Sequence, residues 1–301
     1  MSALSYATFA CIIAAITALP ATSQETRAPD QVYRCPDGSD QVSHEALHAT
    51  LWVQTSAEYR MATSQAFMLA TLMAERALAN PNWTASIEQE RLGDYQDHDP
   101  AVILDIDETI LSNDRLQGRI SAECGEFSRN LWTAWVATQA ATRIDGAREF
   151  VRFLRRRNVK IYYVTNRDQG DDNHTVANLR KQGFPLDEDD KNLLSRRKKD
   201  GWTSDKTNRR AYVAKTHRIL LLIGDDLNDF ILGARGTPEQ PVKAQERRDL
   251  ANRHRNYWGT KWIMLPNPIY GSWERALYDF DHALPRAEKL NRKRKNLLSF
   301  E

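Results

Sequence analysis

Two apolar runs that end in aspartates constrain this chain most: AVILDIDET, opening at residue 101, and HRILLLIGDD, opening at residue 217. Rows of Val, Ile and Leu without polar alternation read as strands covered on both faces, as parallel-sheet strands are. Unpaired charge at the end of such a strand is strongly disfavoured. Both runs must therefore deliver their acids to an edge where positive charge collects. KIYYVTNR (160–167) is a third strand of this kind, and KWIMLPN (261–267) a fourth. Helical patterns lie between them at 147–157, at 173–183 with Gly183 as the stop, and briefly at 227–233. Strands alternating with helices predict an α/β fold, a mostly parallel sheet with helices on both faces. Ligands of such sheets sit beyond the carboxyl ends of the strands. That rule gathers Asp105, Asp107, Thr165, Asn166, Asp225 and Asp226 at one edge.

Before the first strand the pattern is helical from Val42 to Asn80, where Asn-Pro ends it, with a further helix predicted around Ile87–Leu92. The stretch 108–145 is too long for a simple loop and is expected to form a cap inserted over the strand ends. Residues 4–24 are apolar, uncharged and end in small residues and a Pro, which predicts a secretory signal peptide cut near Ala21 or Ser23. The run is short for a membrane span, and Phe9-Ala10 before Cys11 fits a lipidation site poorly. The expected organisation is a signal peptide at 1–23, a leader and helical segment at 24–99, the core at 100–275 and a basic tail at 276–301. Export to the periplasm or beyond follows, with no stable membrane insertion after cleavage. Cys35 and Cys124 then remain, and pairing and free thiols stand as equal alternatives. With 42 Lys and Arg against 40 Asp and Glu, the net charge of +2 favours no polyanionic partner. The basic clusters at 155–157, 195–200 and 291–295 lack interleaved aromatics, so no nucleic-acid polymer is expected. Self-association is left open.

Asp105 and Asp107 lie two apart on extended chain, and Asp225, Asp226 and Asp229 end another strand. Five carboxylates in one crevice repel one another unless a cation joins them. A hard ion with oxygen ligands, Mg²⁺, fits such a site when a phosphate completes its shell. Taken singly, Asp229 has the alternative of a helix cap or turn, and Lys206 reads as solvated surface. Together with the hydroxyl of Thr165 and the backbone amides after its strand, they make a phosphate site.

DIDET, VTNR, SDK and GDDLND, in that order, resemble the four motifs of the haloacid-dehalogenase-like (HAD) phosphatases. With NLWTAWV (130–136), LLSRRKKDGWTSDKTNRR (193–210) and LPNPIYGSWE (265–274), residues 100–275 look like the bacterial class C acid phosphatases, which include lipoprotein 5′-nucleotidases. The resemblance implies a Rossmann-like three-layer core and an exported, Mg²⁺-dependent phosphomonoesterase working through an aspartyl-phosphate. It implies Asp105 as nucleophile and Asp107 as general acid and then base, from which a mildly acidic optimum follows. Thr165 and Lys206 would bind the phosphoryl oxygens. Asp105, the Asp107 backbone carbonyl and Asp225 would hold the metal, with Asp226 and Asp229 supporting it. Asn113 and Asn166 would lie near the substrate, while Glu108 is expected to face outward. Trp132 and Tyr270 are the expected stacking pair for a nucleobase. Nucleoside 5′-monophosphates are thus the expected substrates. The alternatives are a sugar or vitamin phosphate, or a relative that binds without catalysis.

Overall fold

The structure, a computed structural model, describes residues 43–300, so the signal-peptide segment, Cys11 and Cys35 lie outside the described residues. The elements run α1 (Leu47–Thr55), α2 (Ala57–Leu78), α3 (Ile87–Leu92), β1 (Asp99–Leu104), β2 (Leu111–Ser112), α4 (Asp114–Ala122), α5 (Arg129–Thr138), β3 (Thr142–Arg143) and α6 (Ala147–Arg156). They continue with β4 (Lys160–Asp168), α7 (Asp172–Gln182), β5 (Leu193–Arg196), α8 (Thr207–Ala214), β6 (His217–Gly224), α9 (Ala244–Arg253), β7 (Trp262–Met264), α10 (Ser272–Arg275) and α11 (Arg286–Lys295).

The main sheet has the order β5-β4-β1-β6-β7, and every pairing in it is parallel. β1 is central, because its uninterrupted apolar row needs cover on both faces. Its side chains alternate. Val102 and Leu104 join one core with Phe67, Ala70 and Ala74 of α2 and Phe150 of α6. Ala101 and Ile103 join the other with Val213 of α8 and Trp262 of β7. The result is an α/β/α sandwich, the three-layer core that the resemblance implies.

Three local expectations change. The helical run at 42–80 breaks at Ser56, whose backbone is extended and whose hydroxyl accepts the Tyr59 amide at 3.1 Å, an N-cap that starts α2 afresh. The helix expected at 227–233 shrinks to a 3-10 turn at Leu227–Asp229. A fifth strand, β5, was hidden in LLSRRKKDGW because its apolar part is only two residues long before Ser195 and the basic run.

Between β1 and β4, β2 and β3 pair antiparallel and bracket α4 and α5, which share a small apolar cluster of Leu116, Ile120, Trp132 and Val136. α1 rests on this segment, with Gln54 donating to the Asp114 carbonyl at 2.9 Å. The basic α11 buries none of its residues but is tied down at its start, where Arg286 pairs with Glu45 at 2.7 Å and Lys289 with Glu126 at 3.0 Å. Cys124, after α4, is disulfide-bonded. Among the described residues no helix is long and apolar enough to cross a membrane.

Candidate active site

The carboxyl edge of the sheet brings together most of the residues singled out in the sequence. Asp105 follows β1 and is fixed by its amide, which donates to the Ile223 carbonyl at 2.9 Å. Asp225 follows β6, and Asp229 closes the 3-10 turn after it. Gly224 is what lets that turn fold back. A Cβ there would lie 2.2 Å from the Asp229 carboxylate, so any larger residue would push the acid away. One oxygen from each of Asp105, Asp225 and Asp229 lies within 4.8 Å of the others.

Lys206, at the N-cap of α8, reaches into this cluster from a buried position. Its ammonium bonds the Asp105 carboxylate and sits 2.6 Å from Asp229 Oδ1. Burial disfavours the ammonium, but the charges of Asp105 and Asp229 outweigh it and raise its pKa. One ammonium does not balance three carboxylates. Burial, and then the repulsion of Asp229 and Asp107 set against the pull of Lys206, pushes Asp105 up to about 7. Asp225 is raised well above the usual carboxylate range by burial and by Asp105 and Asp229. Thr109 ties the two acids loosely, its hydroxyl 3.4 Å from Asp105 Oδ2 and 3.5 Å from Asp225 Oδ1. Oxygen donors with an excess of negative charge and a shared space are the donor set of a hard divalent cation, so the residues present fit one.

Asp107 turns away from this cluster. Its carboxylate receives the Arg167 guanidinium, with Nη2 at 2.8 Å and Nε at 3.1 Å from Oδ1, and the Asn113 amide at 2.9 Å. Asn113 also donates to Glu108 through its backbone and side-chain nitrogens, both at 3.0 Å, and its oxygen accepts the Trp135 indole at 2.7 Å. Its amide is thus used within the protein. Glu108 does not face outward. It is 2 % exposed, adopts a positive φ of 56°, and accepts the Tyr270 hydroxyl at 2.9 Å. Burial lifts its carboxyl to about 7, against the opposing bonds from Asn113 and Tyr270. The left-handed backbone at Glu108 turns its side chain inward, where the Asn113 and Tyr270 donors receive it.

Thr165 is buried near the end of β4, its hydroxyl accepting the Arg167 amide at 3.1 Å. Asn166 is held by Arg209, which donates to its side-chain oxygen at 2.7 Å. Trp132 keeps only 9 % of its surface, and the Arg167 guanidinium lies 5.5 Å over its ring. Asp226 does not join the metal cluster. Its two oxygens cap backbone amides, Asn228 at 3.0 Å and Ser272 at 2.6 Å, and Arg247 stands 3.7 Å away. Burial would raise this carboxyl, but Arg247 and those amides leave it below the usual range.

Three arginines organise the site and were not assigned roles from the sequence. Arg167 shares the strand face of Thr165, two residues on, a period-2 signal that was available. Arg209 and Arg210 stand three and four positions after Lys206, one face of one helix. Arg209 bonds the Thr165 carbonyl and the Thr203 carbonyl, the latter at 2.8 Å, and Arg210 holds the carbonyls of Asn228 and Asp229 at 3.1 and 3.0 Å.

Residues 31–273 match the family described as HAD superfamily, subfamily IIIB (acid phosphatase). The match starts well before residue 100, where the resemblance read from the motifs began. The packing of α2 into the main core explains why the N-terminal helices belong to the same unit. Among solved structures, the chain is similar to the class C acid phosphatase from Bacillus anthracis, with a TM-score of 0.71 and 30% identity over 85% of this chain and 98% of that one. The same protein with tungstate bound gives a TM-score of 0.72 at the same identity and coverage.

Proposed function

The chain belongs to subfamily IIIB of the HAD superfamily, the acid phosphatases, and from that premise we propose that it hydrolyses phosphomonoesters through an aspartyl-phosphate on Asp105. The observation that carries this reading is the trio Asp105, Asp225 and Asp229, whose oxygens converge, with a single ammonium, Lys206, on Asp105 and Asp229. Mg²⁺ is the proposed ion, with Asp105 and Asp225 as its main carboxylate ligands, the Asp107 backbone carbonyl as a further one and Asp229 in support. Such an ion, when bound, neutralises phosphoryl charge and leaves Asp105 free to attack. Lys206 and Thr165 hold the phosphoryl oxygens. An oxygen of Asp105 bonds phosphorus as the ester P–O bond breaks, and Asp107 gives its proton to the departing oxygen. Asp107 then takes a proton from the water that cleaves the aspartyl-phosphate. A relative that accepts tungstate, a tetrahedral oxyanion, supports an oxyanion site here.

Nucleoside 5′-monophosphates are the proposed substrates, because two rings adjoin Asp107: Trp132 through Arg167, and Tyr270 through Glu108. Tyr270 is the stronger base contact, since Trp132 is nearly buried, and Asn166, at the end of β4, is a further proposed substrate contact. Export is proposed from the apolar stretch 4–24, with a mature N-terminus after Ala21 or Ser23 that mass measurement of the secreted protein checks. The function is tested by phosphate release from adenosine 5′-monophosphate and a simple sugar phosphate, with Mg²⁺ and with a chelator. Asp105→Asn is expected to lower release by about 10⁴-fold or more with the fold intact. Full activity in that variant, or in chelator, overturns the reading. Equal losses on both esters in Trp132→Ala and Tyr270→Ala would reject base stacking.

A further inference from the structure

The two oxygens of Asp107 are not equivalent. Oδ1 receives three donors: Arg167 Nη2 at 2.8 Å, Asn113 Nδ2 at 2.9 Å and Arg167 Nε at 3.1 Å. Oδ2 has a single long contact, Arg167 Nε at 3.2 Å. Asp107 is also more open than the two acids that meet Lys206, with its side chain 19 % exposed against 7 % for Asp105 and 6 % for Asp229. Arg167 in turn cannot wander. It is 2 % exposed, its Nη1 lies 3.4 Å from the Thr175 hydroxyl, and Trp132 covers its plane at 5.5 Å. Thr175 comes from α7, Trp132 from α5 and Asp107 from the loop after β1, so three elements fix one guanidinium fork. A planar fork holds a carboxylate in one orientation, which a single ammonium does not.

We propose that Arg167 is the positioning residue for Asp107: by saturating Oδ1 it leaves Oδ2 as the one atom that carries the proton. Resting on the general-acid role given to Asp107 above, the step balances as follows. The proton on Oδ2 passes to the ester oxygen while Asp105 takes the phosphoryl group, and the alcohol leaves. A water then attacks the aspartyl-phosphate, its proton returns to Oδ2, and phosphate departs with Asp105 regenerated. Loss of the fork allows the carboxyl group to rotate and places either oxygen, at random, before the leaving group. A misplacement of this kind costs most where the leaving alcohol needs the proton, and little where it does not.

The experiment compares kcat/KM, which reports the steps through phosphoryl transfer to Asp105, for adenosine 5′-monophosphate and p-nitrophenyl phosphate. p-Nitrophenolate leaves without a proton; an alkoxide does not. Arg167→Ala is expected to lose about 100-fold on the nucleotide and less than about tenfold on the aryl ester. Added guanidinium ion is expected to restore part of the nucleotide rate. Arg167→Lys, which keeps the charge but not the fork, is expected to show the same discrimination at smaller size, and it carries the test where the alanine variant does not fold. Equal losses on the two esters in every folded variant, or no loss on the nucleotide, overturn the proposal. If instead Asp105→Asn keeps wild-type activity, the reading of the whole site falls, not the role of Arg167 within it.

Discussion

Asp105 and Asp107 stand two residues apart and differ in almost every respect that decides chemistry. Asp105 is buried among like charges, shares one ammonium with Asp229, and has its carboxyl raised to about 7. Asp107 is partly open and meets a guanidinium of its own, with an amide beside it. The first environment is short of positive charge and the second is not. A cation therefore has a reason to enter on one side only, and the carboxylate left outside it, that of Asp107, is free to handle protons. Strand alternation does not produce this division, since it would put residues two apart on one face; β1 ends at Leu104, and the chain beyond it gives Asp105 to Lys206 and Asp107 to Arg167.

Lys206 offers the strongest way to break that contrast. Removing one partner of a buried charge cluster leaves the others uncompensated, at a cost of about 3–5 kcal/mol. Lys206→Ala is expected to lower phosphate release by about 10³-fold and to melt well below wild type in chelator. Millimolar Mg²⁺ is expected to recover much of that stability, because the ion replaces the missing charge. The stability lost in Arg167→Ala is not expected to return with Mg²⁺. Melting curves of both variants with and without the ion decide the matter, and equal rescue of the two would erase the distinction between the poles.

A second expectation concerns pH. An aspartate whose folded pKa is raised to about 7, from about 3.9 in the unfolded chain, binds protons more tightly when folded. Its contribution is fully present below about pH 4 and is lost as pH rises towards 7, a change of about 2–4 kcal/mol in metal-free protein. Mg²⁺ acts in the opposite sense, since it competes with those protons. The rise in melting temperature on adding Mg²⁺ is thus expected to grow from pH 5 to pH 7.5. A rise that is the same at both ends would place the ion away from Asp105.

What the sequence disclosed follows the same line. Strands and their terminal acids were readable because burial on both faces forces apolar rows, and four such rows mark four of the five strands of the sheet. Asp105, Asp225 and Lys206 could be named because motif order stood in for distance. Glu108 could not. Nothing in DIDET says that the backbone turns left-handed at that residue, and the partner that receives its side chain, Tyr270, comes 162 positions later. The arginines were missed for a related reason: Arg167 ends a strand run as one more polar residue, Arg209 and Arg210 follow Lys206 in a polar stretch, and only tertiary structure buries them. β5 was missed because four residues ending in a basic run carry little periodic signal.

Glu108 gives the finest test of the contrast, since its carboxyl is also raised to about 7 but lies on the Asp107 side. Three donors, the Asn113 backbone and side-chain nitrogens and the Tyr270 hydroxyl, all point at Oε1. Oε2 has only the Ser112 hydroxyl, at 3.5 Å. The proton of the neutral acid thus belongs on Oε2, and glutamine reproduces that arrangement: its carbonyl accepts the three donors and its nitrogen stands where the protonated oxygen was. Glu108→Gln is expected to change stability at pH 5 by less than about 1 kcal/mol, whereas Glu108→Ala strands the donors and costs about 2–3 kcal/mol. The sign with pH follows from the raised pKa: wild type loses the Glu108 contribution as pH rises towards 7, and the glutamine variant does not. In saturating Mg²⁺, where the Asp105 share is suppressed, the slope of stability between pH 5 and 7.5 is therefore expected to flatten in Glu108→Gln. If the slope persists there unchanged, the remaining titration belongs to the metal side, and the Asp107 side is as ionised in the folded protein as in the unfolded one.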